Sequence, residues 1–201
     1  MRIRTNEGKA TGGAGVTVAD PSLWSGSVAW SGMGGRLRAG AALDAHKDFT
    51  TPGQTDSGWR VTGGWNFGVA DIGLAYETMT YKTSAGDCDA TQRGIGVAIP
   101  VGGGAIRSSY AVADDIDGPF TGANSCGAAT AANNGAKIWN IGYDYRFSKR
   151  TTVGFGYAQI KNDDAAVFTW TGAPPNQTGG GLAPTAGSDP STFFVNMLHR
   201  F

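Results

Sequence analysis

Histidine and cysteine are the residue types of this sequence most able to do chemistry. His46 stands two residues after Asp44, and an imidazole beside a carboxylate is a pairing that acid–base catalysis uses. A catalytic triad would also need a serine next to His46, and no motif places one there, so we expect no enzyme activity. Cys88 and Cys126 form no C-x-x-C motif and lie near neither histidine, so we expect no metal site and no cofactor.

The composition excludes several classes of protein. Sixteen basic residues balance sixteen acidic ones, so nucleic acid is not an expected partner. The 33 glycines disfavour a helical bundle, and six Trp, six Tyr and nine Phe are too many for a disordered chain. The sequence has neither a run of about 18 apolar residues, as a membrane-spanning helix requires, nor an N-terminal signal peptide.

Apolar and polar residues alternate along most of the chain, which is the period of a β-strand. The C-terminal stretch STFFVNMLHRF shows the pattern clearly, because its odd-numbered residues are mostly apolar. The alternation predicts about nine strands, near residues 22 to 31, 36 to 46, 58 to 67, 70 to 81, 90 to 99, 105 to 113, 137 to 147, 151 to 161 and 191 to 201.

The connections between these strands alternate between short and long. Short turns follow the first, third, fifth and seventh strands, whereas the other connections are long, including KTSAGDCD after the fourth strand. Short turns at one end and long loops at the other are typical of an outer-membrane β-barrel. Aromatic residues near the strand ends agree with the interfacial girdles of such a barrel. We therefore expect an all-β antiparallel transmembrane barrel.

The opposite face of the strands predicts what the inside of the barrel contains. Glycine and alanine occupy its mid-strand positions, which favours a wide lumen over one filled by side chains. An excess of arginine there would favour anions, and the alternative is that these charges are solvated and pair with acidic residues of the loops. The charged residues expected to line the pore are Arg36, Arg38, Asp44, Arg60, Glu77, Arg107, Asp144 and Arg146. Arg93 falls on the apolar face, where we expect it at the membrane interface.

Several segments resemble one family of bacterial membrane proteins. YDYRFSKRTTVGFGYAQIKND and FFVNMLHRF look like the last three strands of the β-proteobacterial general porins, trimeric outer-membrane channels of sixteen strands. ALDAHKDFT and GWRVTGGWNFGVADIGLAYETMTY resemble middle strands of the same proteins. The resemblance covers residues 22–201. It implies the C-terminal part of one porin barrel domain, preceded in residues 1–21 by a remnant loop or partial strand of a longer protein.

The resemblance also implies a function, a location and partners. A porin is a water-filled channel in the bacterial outer membrane for passive diffusion of small hydrophilic solutes and ions. Its expected partners are outer-membrane lipid, lipopolysaccharide, two further copies in a homotrimer, and the barrel-assembly machinery. That machinery reads the last strand of the family, and the matching residues here are Phe193, Val195, Met197, His199 and Phe201.

Two questions stay open from sequence alone. The same alternation would suit an extracellular β-sandwich that binds a surface or partner, because the apolar faces of a sandwich cover each other. The two cysteines lie in neighbouring external loops of the expected barrel, in a compartment where disulfides persist. We expect Cys88 and Cys126 to form a bridge between those loops, and two unpaired thiols are the alternative.

Overall fold

The computed structural model describes residues 2–5, 21–119, 126, 132–170 and 185–201. Ten strands form one antiparallel sheet, in which every strand pairs with its neighbours in sequence order. The strands are β1 (Arg2–Thr5), β2 (Ser22–Gly32), β3 (Leu37–Lys47), β4 (Thr55–Asn66), β5 (Asp71–Thr83), β6 (Gly86–Val101), β7 (Gly104–Ala113), β8 (Ala136–Arg146), β9 (Thr151–Asn162) and β10 (Ser191–His199). Among the described residues, no helix has the length and hydropathy to span a bilayer.

The nine strands expected from the alternation are β2 to β10, so the all-β antiparallel fold is confirmed. The sheet also contains the four-residue strand β1, whose residues Arg2–Thr5 pair with the start of β2. This strand falls within the segment 1–21 that was expected to be a remnant loop or partial strand. Residues 6–20 of that segment lie outside the described part of the chain.

Four short connections lie together at one end of the sheet. They follow β2, β4, β6 and β8, and the first contains a 3₁₀ turn over Met33–Gly35. Glycine supplies the left-handed backbone that such tight turns need, with φ of 88° at Gly68 and 56° at Gly102. We call this edge of the sheet the short-turn end. The chain terminus at Phe201 lies at the same end, because Arg200 donates its backbone N–H to the carbonyl of Arg150.

The connection after β5 differs from its prediction. Instead of a long loop over KTSAGDCD, β5 continues to Thr83 and β6 begins at Gly86, which leaves a two-residue turn. An ion pair of Lys82 with Asp87 and a hydrogen bond from Thr80 to Asp89 extend this hairpin. The prediction was wrong because these residues are polar and give no apolar alternation. Of the four connections that the sequence predicts to be long, the other three are longer than this one.

The long connections after β7 and β9 are tied together where they meet the sheet. Asp163 donates its backbone N–H to the carbonyl of Gly135 at 3.0 Å, and Ala165 donates to that of Asn133 at 2.9 Å. Ala166 and Ile160 are buried beneath these contacts, at 2% and 6% exposure. The described bases of the last two long connections therefore pack on each other.

Within the described part of the chain, no second sheet covers the apolar face. All ten described strands belong to one sheet, and large apolar side chains remain exposed, including Phe193 at 85% and Val195 at 79%. A β-sandwich requires a second sheet to cover such a face. The sandwich alternative therefore has no support in the described structure.

Candidate functional site

The strand register separates the sheet into an apolar face and a polar face. Residues that pair directly across antiparallel strands point to the same side. Trp65, for example, pairs with Leu37 on β3 and with Ile72 on β5, so apolar side chains continue from strand to strand. The apolar face includes Trp24, Val28, Trp30, Leu43, Trp59, Val61, Leu74, Tyr76, Ile95, Ile99, Tyr110, Ile141, Tyr143, Tyr145, Val153, Phe155, Tyr157, Phe193, Val195 and Met197.

Aromatic rings mark both ends of the apolar face. Towards the long connections, Trp59 contacts Tyr76 with ring centroids 5.3 Å apart, and Tyr157 contacts Phe193 at 5.0 Å. At the short-turn end, Trp65 contacts Phe67 at 6.1 Å. Trp59 and Trp65 are six residues apart on β4, or about 20 Å along a strand. The apolar face therefore has the aromatic borders of a bilayer-facing barrel wall.

The residues expected to line the pore lie on the polar face or at its edge. Seven of the eight are strand residues whose register places them opposite the apolar set, whereas Arg36 lies in the turn just before β3. Three of the arginines form ion pairs with carboxylates on other strands, two of them on the adjacent strand and one across β4. The pairs are Arg38 with Asp71, Arg60 with Glu77, and Arg107 with Asp144.

The sequence left open the alternative that the arginines facing the lumen pair with acidic residues of the loops. These three ion pairs differ from that alternative. All three carboxylates belong to strands of the sheet, and all six side chains remain at least partly exposed. Exposed pairs contribute little to stability, on the order of 0 to 1 kcal/mol. Their main effect is to cancel charge locally, so that three of the arginines carry a counter-charge within the wall itself.

Small residues occupy the centre of the polar face. Gly40, Thr62, Ala75, Gly94 and Ala111 follow one another in register from β3 to β7. They contribute to the lining of a depression of about 700 Å³, which Arg38 also lines. Because none of the five residues in this row has a long side chain, the polar face leaves free space at their height.

One large side chain on the polar face was not predicted to have a role. Phe194 pairs with Gly156 on β9, which in turn pairs with Gly142 on β8. A Cβ atom built at Gly156 would lie 2.5 Å from the Phe194 ring, and one built at Gly142 would lie 3.5 Å from it. The tip of the ring therefore lies over two glycines. The signal in the sequence was the double aromatic in STFFV, which breaks the alternation.

The two cysteines are joined by a disulfide with an S–S distance of 1.98 Å. Cys88 lies in β6 and not in a loop, and it is 2% exposed. Next to it, Asp89 and Asp117 exchange backbone hydrogen bonds of 2.8 and 3.0 Å. Both contacts hold the connection after β7 against the long β5–β6 hairpin.

Arg93 lies on the apolar face, as the sequence predicts, between Tyr76 and Val112 of the neighbouring strands. Its Nη1 atom is 2.7 Å from Oδ2 of Asp114, at the end of β7. The carboxylate partner was not predicted. Arg93 and Ile95 are successive residues on the apolar face of β6. The ion pair lies at the border of this face that is nearer the long connections.

His46 does not take part in an acid–base arrangement among the described residues. Its ring contacts Phe49, with centroids 5.3 Å apart, and its cross-strand neighbour on β4 is Asp56. Asp56 is buried and accepts hydrogen bonds from Thr50 Oγ1 at 2.6 Å and from the backbone N–H of Lys82 at 2.7 Å. No serine donates to His46 within the described ranges, and no cluster of three metal-ligating side chains occurs there.

The five residues of the expected assembly signal lie at one edge of the sheet, on β10 and just beyond it. Phe193, Val195 and Met197 are exposed on the apolar face, at 85%, 79% and 70%. Thr151 and His199 Nδ1 lie 2.9 Å apart, and the His199 ring contacts Phe201 edge-on at 4.9 Å. The terminal aromatic thus continues the apolar face beyond the last strand.

Comparisons with known proteins agree with this geometry. A family model described as Gram-negative porin matches residues 3–165. Outer membrane porin protein 32 of Delftia acidovorans is 30% identical over 106 residues, which is 52% of this chain and 26% of that protein. The solved structure of an anion-selective porin from Comamonas acidovorans matches with a TM-score of 0.66 and 26% identity, over 92% of this chain and 50% of the other.

The chain thus spans about half the length of the solved porin that it matches. The family match covers most of its residues and includes β1 to β9. The match to the solved structure covers nearly the whole chain. In this chain that region is a single sheet with one apolar and one polar face. The protein is one of the bacterial outer membrane, and the chain belongs to the Gram-negative porin family.

Proposed function

We propose that residues 22–201 form part of the wall of a water-filled channel for passive diffusion of small hydrophilic solutes and ions. The single observation that carries this proposal is the continuous apolar face with aromatic borders, back to back with a charged and small-residue face. A sheet of this kind is stable only with hydrocarbon on one side and water on the other. A passive pore needs no catalytic group, so the proposal assigns none to this chain.

The polar face is the lining of this channel. Its small-residue patch leaves room for solutes, and the eight charged residues named above set the local field. The wall carries more arginines than carboxylates, which favours small anions over cations. The solved relative is described as anion-selective, which supports the same preference here.

The apolar face supplies the contacts with the membrane and with other copies. It meets outer-membrane lipid and lipopolysaccharide, and part of it is the interface of a homotrimer. The exposed residues of β10 and Phe201 are read by the barrel-assembly machinery during insertion. The disulfide between Cys88 and Cys126 keeps the connection after β7 in place above the sheet.

Planar-bilayer recording tests the channel directly. The full gene product, purified from outer membranes as a detergent-resistant trimer, should produce stepwise ion conductance, and a salt gradient should give a reversal potential on the anion side. Heat-denatured protein from the same preparation is the control. A folded protein that stays soluble as a monomer, or that inserts without conductance, would contradict the proposal.

A further inference from the structure

The charges of the sheet are distributed unequally between its two ends. Within about four residues of the short turns and the terminus, seven basic residues face two acidic ones. The basic residues are Arg36, Arg38, Arg107, Arg146, Lys149, Arg150 and Arg200, and the acidic ones are Asp71 and Asp144. The opposite end is acidic, with Asp44, Asp48, Asp56, Asp87, Asp89, Asp114, Asp115, Asp117, Asp163, Asp164 and Asp189 against Arg2, Arg4, Lys47, Lys82, Arg93, Lys137 and Lys161.

The two carboxylates of the short-turn end are already engaged. Asp71 pairs with Arg38, and Asp144 pairs with Arg107. None of the ion pairs between described residues includes Arg146, Arg150 or Arg200. The α-carboxylate of Phe201 adds one negative charge, and this end still has seven basic side chains against three carboxylates.

Four of these basic residues are neighbours, and we call them the basic rim: Arg146, Lys149, Arg150 and Arg200. The backbone N–H of Arg200 donates to the carbonyl of Arg150 at 2.9 Å, which brings the terminus against the β8–β9 turn. Arg146 ends β8 on the polar face, two residues after Asp144, and donates its backbone N–H to Gly103. All four residues are exposed to solvent.

We infer that the basic rim is an anion-gathering entrance at the short-turn end of the proposed channel. Like charges held together at a pore mouth raise the local concentration of small anions. The acidic far end has the opposite effect, so the field along the channel axis has a direction. The conductance should therefore depend on the sign of the applied voltage, and the inference rests on the proposed channel function.

The test uses the full gene product in planar bilayers, inserted from one side, in about 0.1 M KCl, where the Debye length is about 10 Å. The probe ions are chloride and potassium. In the triple variant Arg146→Ser, Arg150→Ser, Arg200→Ser, the anion-over-cation permeability ratio should fall by about twofold for each charge removed. The difference in current between the two voltage signs should shrink with it. Both changes should fade at about 1 M KCl, where the Debye length is about 3 Å.

Two controls separate charge from structure. The variant Lys47→Ser, Lys137→Ser, Lys161→Ser removes the same number of charges at the other end from the apolar face, which does not line the proposed channel, so its permeability ratio should change much less than that of the rim variant. Exchanging the three arginines of the rim for lysine keeps the charge and should keep the ratio. If the lysine exchange lowers the ratio as much as serine does, the rim acts through packing and the inference is wrong.

The failures of the two proposals can be told apart. An unmodified protein without conductance refutes the channel itself. A conducting protein whose permeability ratio and current asymmetry are unaffected by the serine variant at 0.1 M KCl refutes only the basic rim.

Discussion

The ring of Phe194 lies over the backbone of Gly156, so close that a Cβ atom at Gly156 would stand 2.5 Å from the ring. The same Cβ would lie 2.6 Å from the carbonyl oxygen of Ile141 and 2.9 Å from Gly142 Cα. Neither backbone atom can move without disturbing the β8–β9 ladder. Glycine is therefore required at this position by packing, although its backbone conformation is an ordinary one.

Replacing Gly156 with alanine should destabilise the barrel. Forcing one methyl group into a closed contact typically costs about 1 to 3 kcal/mol. The full protein in detergent should unfold at a lower temperature or urea concentration. Gly63→Ala is the matched control, because a Cβ at Gly63 meets nothing within 4 Å. Equal unfolding midpoints for the two variants would show that Phe194 does not confine Gly156.

Replacing Arg60 with serine should shift the reversal potential towards cations. The substitution leaves Glu77 on the polar face without its partner, so the wall loses one positive charge and keeps the negative one. Serine in place of both residues should bring the potential back close to that of the unmodified protein, because the pair as a whole is neutral. A single variant that behaves like the double variant would exclude this pair from the permeation path.

Removing the disulfide should loosen the connection after β7 without unfolding the sheet. Cys88→Ser with Cys126→Ser eliminates a covalent link between residues 38 apart in sequence. By the chain-entropy model such a link stabilises by about 3 to 5 kcal/mol, and the backbone contacts of Asp89 with Asp117 remain. Limited proteolysis should cut the variant between residues 114 and 135 faster than the unmodified protein. Identical cleavage rates would mean that those backbone contacts alone hold this connection.

Deleting Phe201 should reduce delivery to the outer membrane more than it reduces stability. The ring contacts only His199 among the described aromatics and is fully exposed, and one buried ring contributes about 1.5 to 3 kcal/mol at most. Folding into detergent micelles should therefore tolerate the deletion, whereas the amount of assembled protein in cells should fall. Asn196→Ala, on the polar face of the same strand, is the control. Unchanged yield after the deletion would show that the assembly machinery does not need this aromatic.

The apolar face could be predicted from residues such as Trp59, Val61 and Trp65. Successive side chains of a strand point to opposite sides, so the order of residues alone assigns each to a face. The same argument placed Arg60 and Asp144 on the polar face and Arg93 on the apolar one. The alternation could not predict the outer part of the β5–β6 hairpin. Lys82 and Asp87 lie on the apolar side of these strands but are polar, so no alternation continues there.

The sequence by itself thus determined the strands, their two faces and the resemblance to porins, because each depends on a local period of two or on a contiguous motif. Only the tertiary structure decided which carboxylate each arginine meets, that Phe194 covers Gly156, and that the arginines of the basic rim gather at one end. Those contacts join residues up to about 50 positions apart, and a shift of one residue in the pairing of two strands would change every partner. The register between strands is a cooperative property of the whole sheet, so the order of residues within one strand does not contain it.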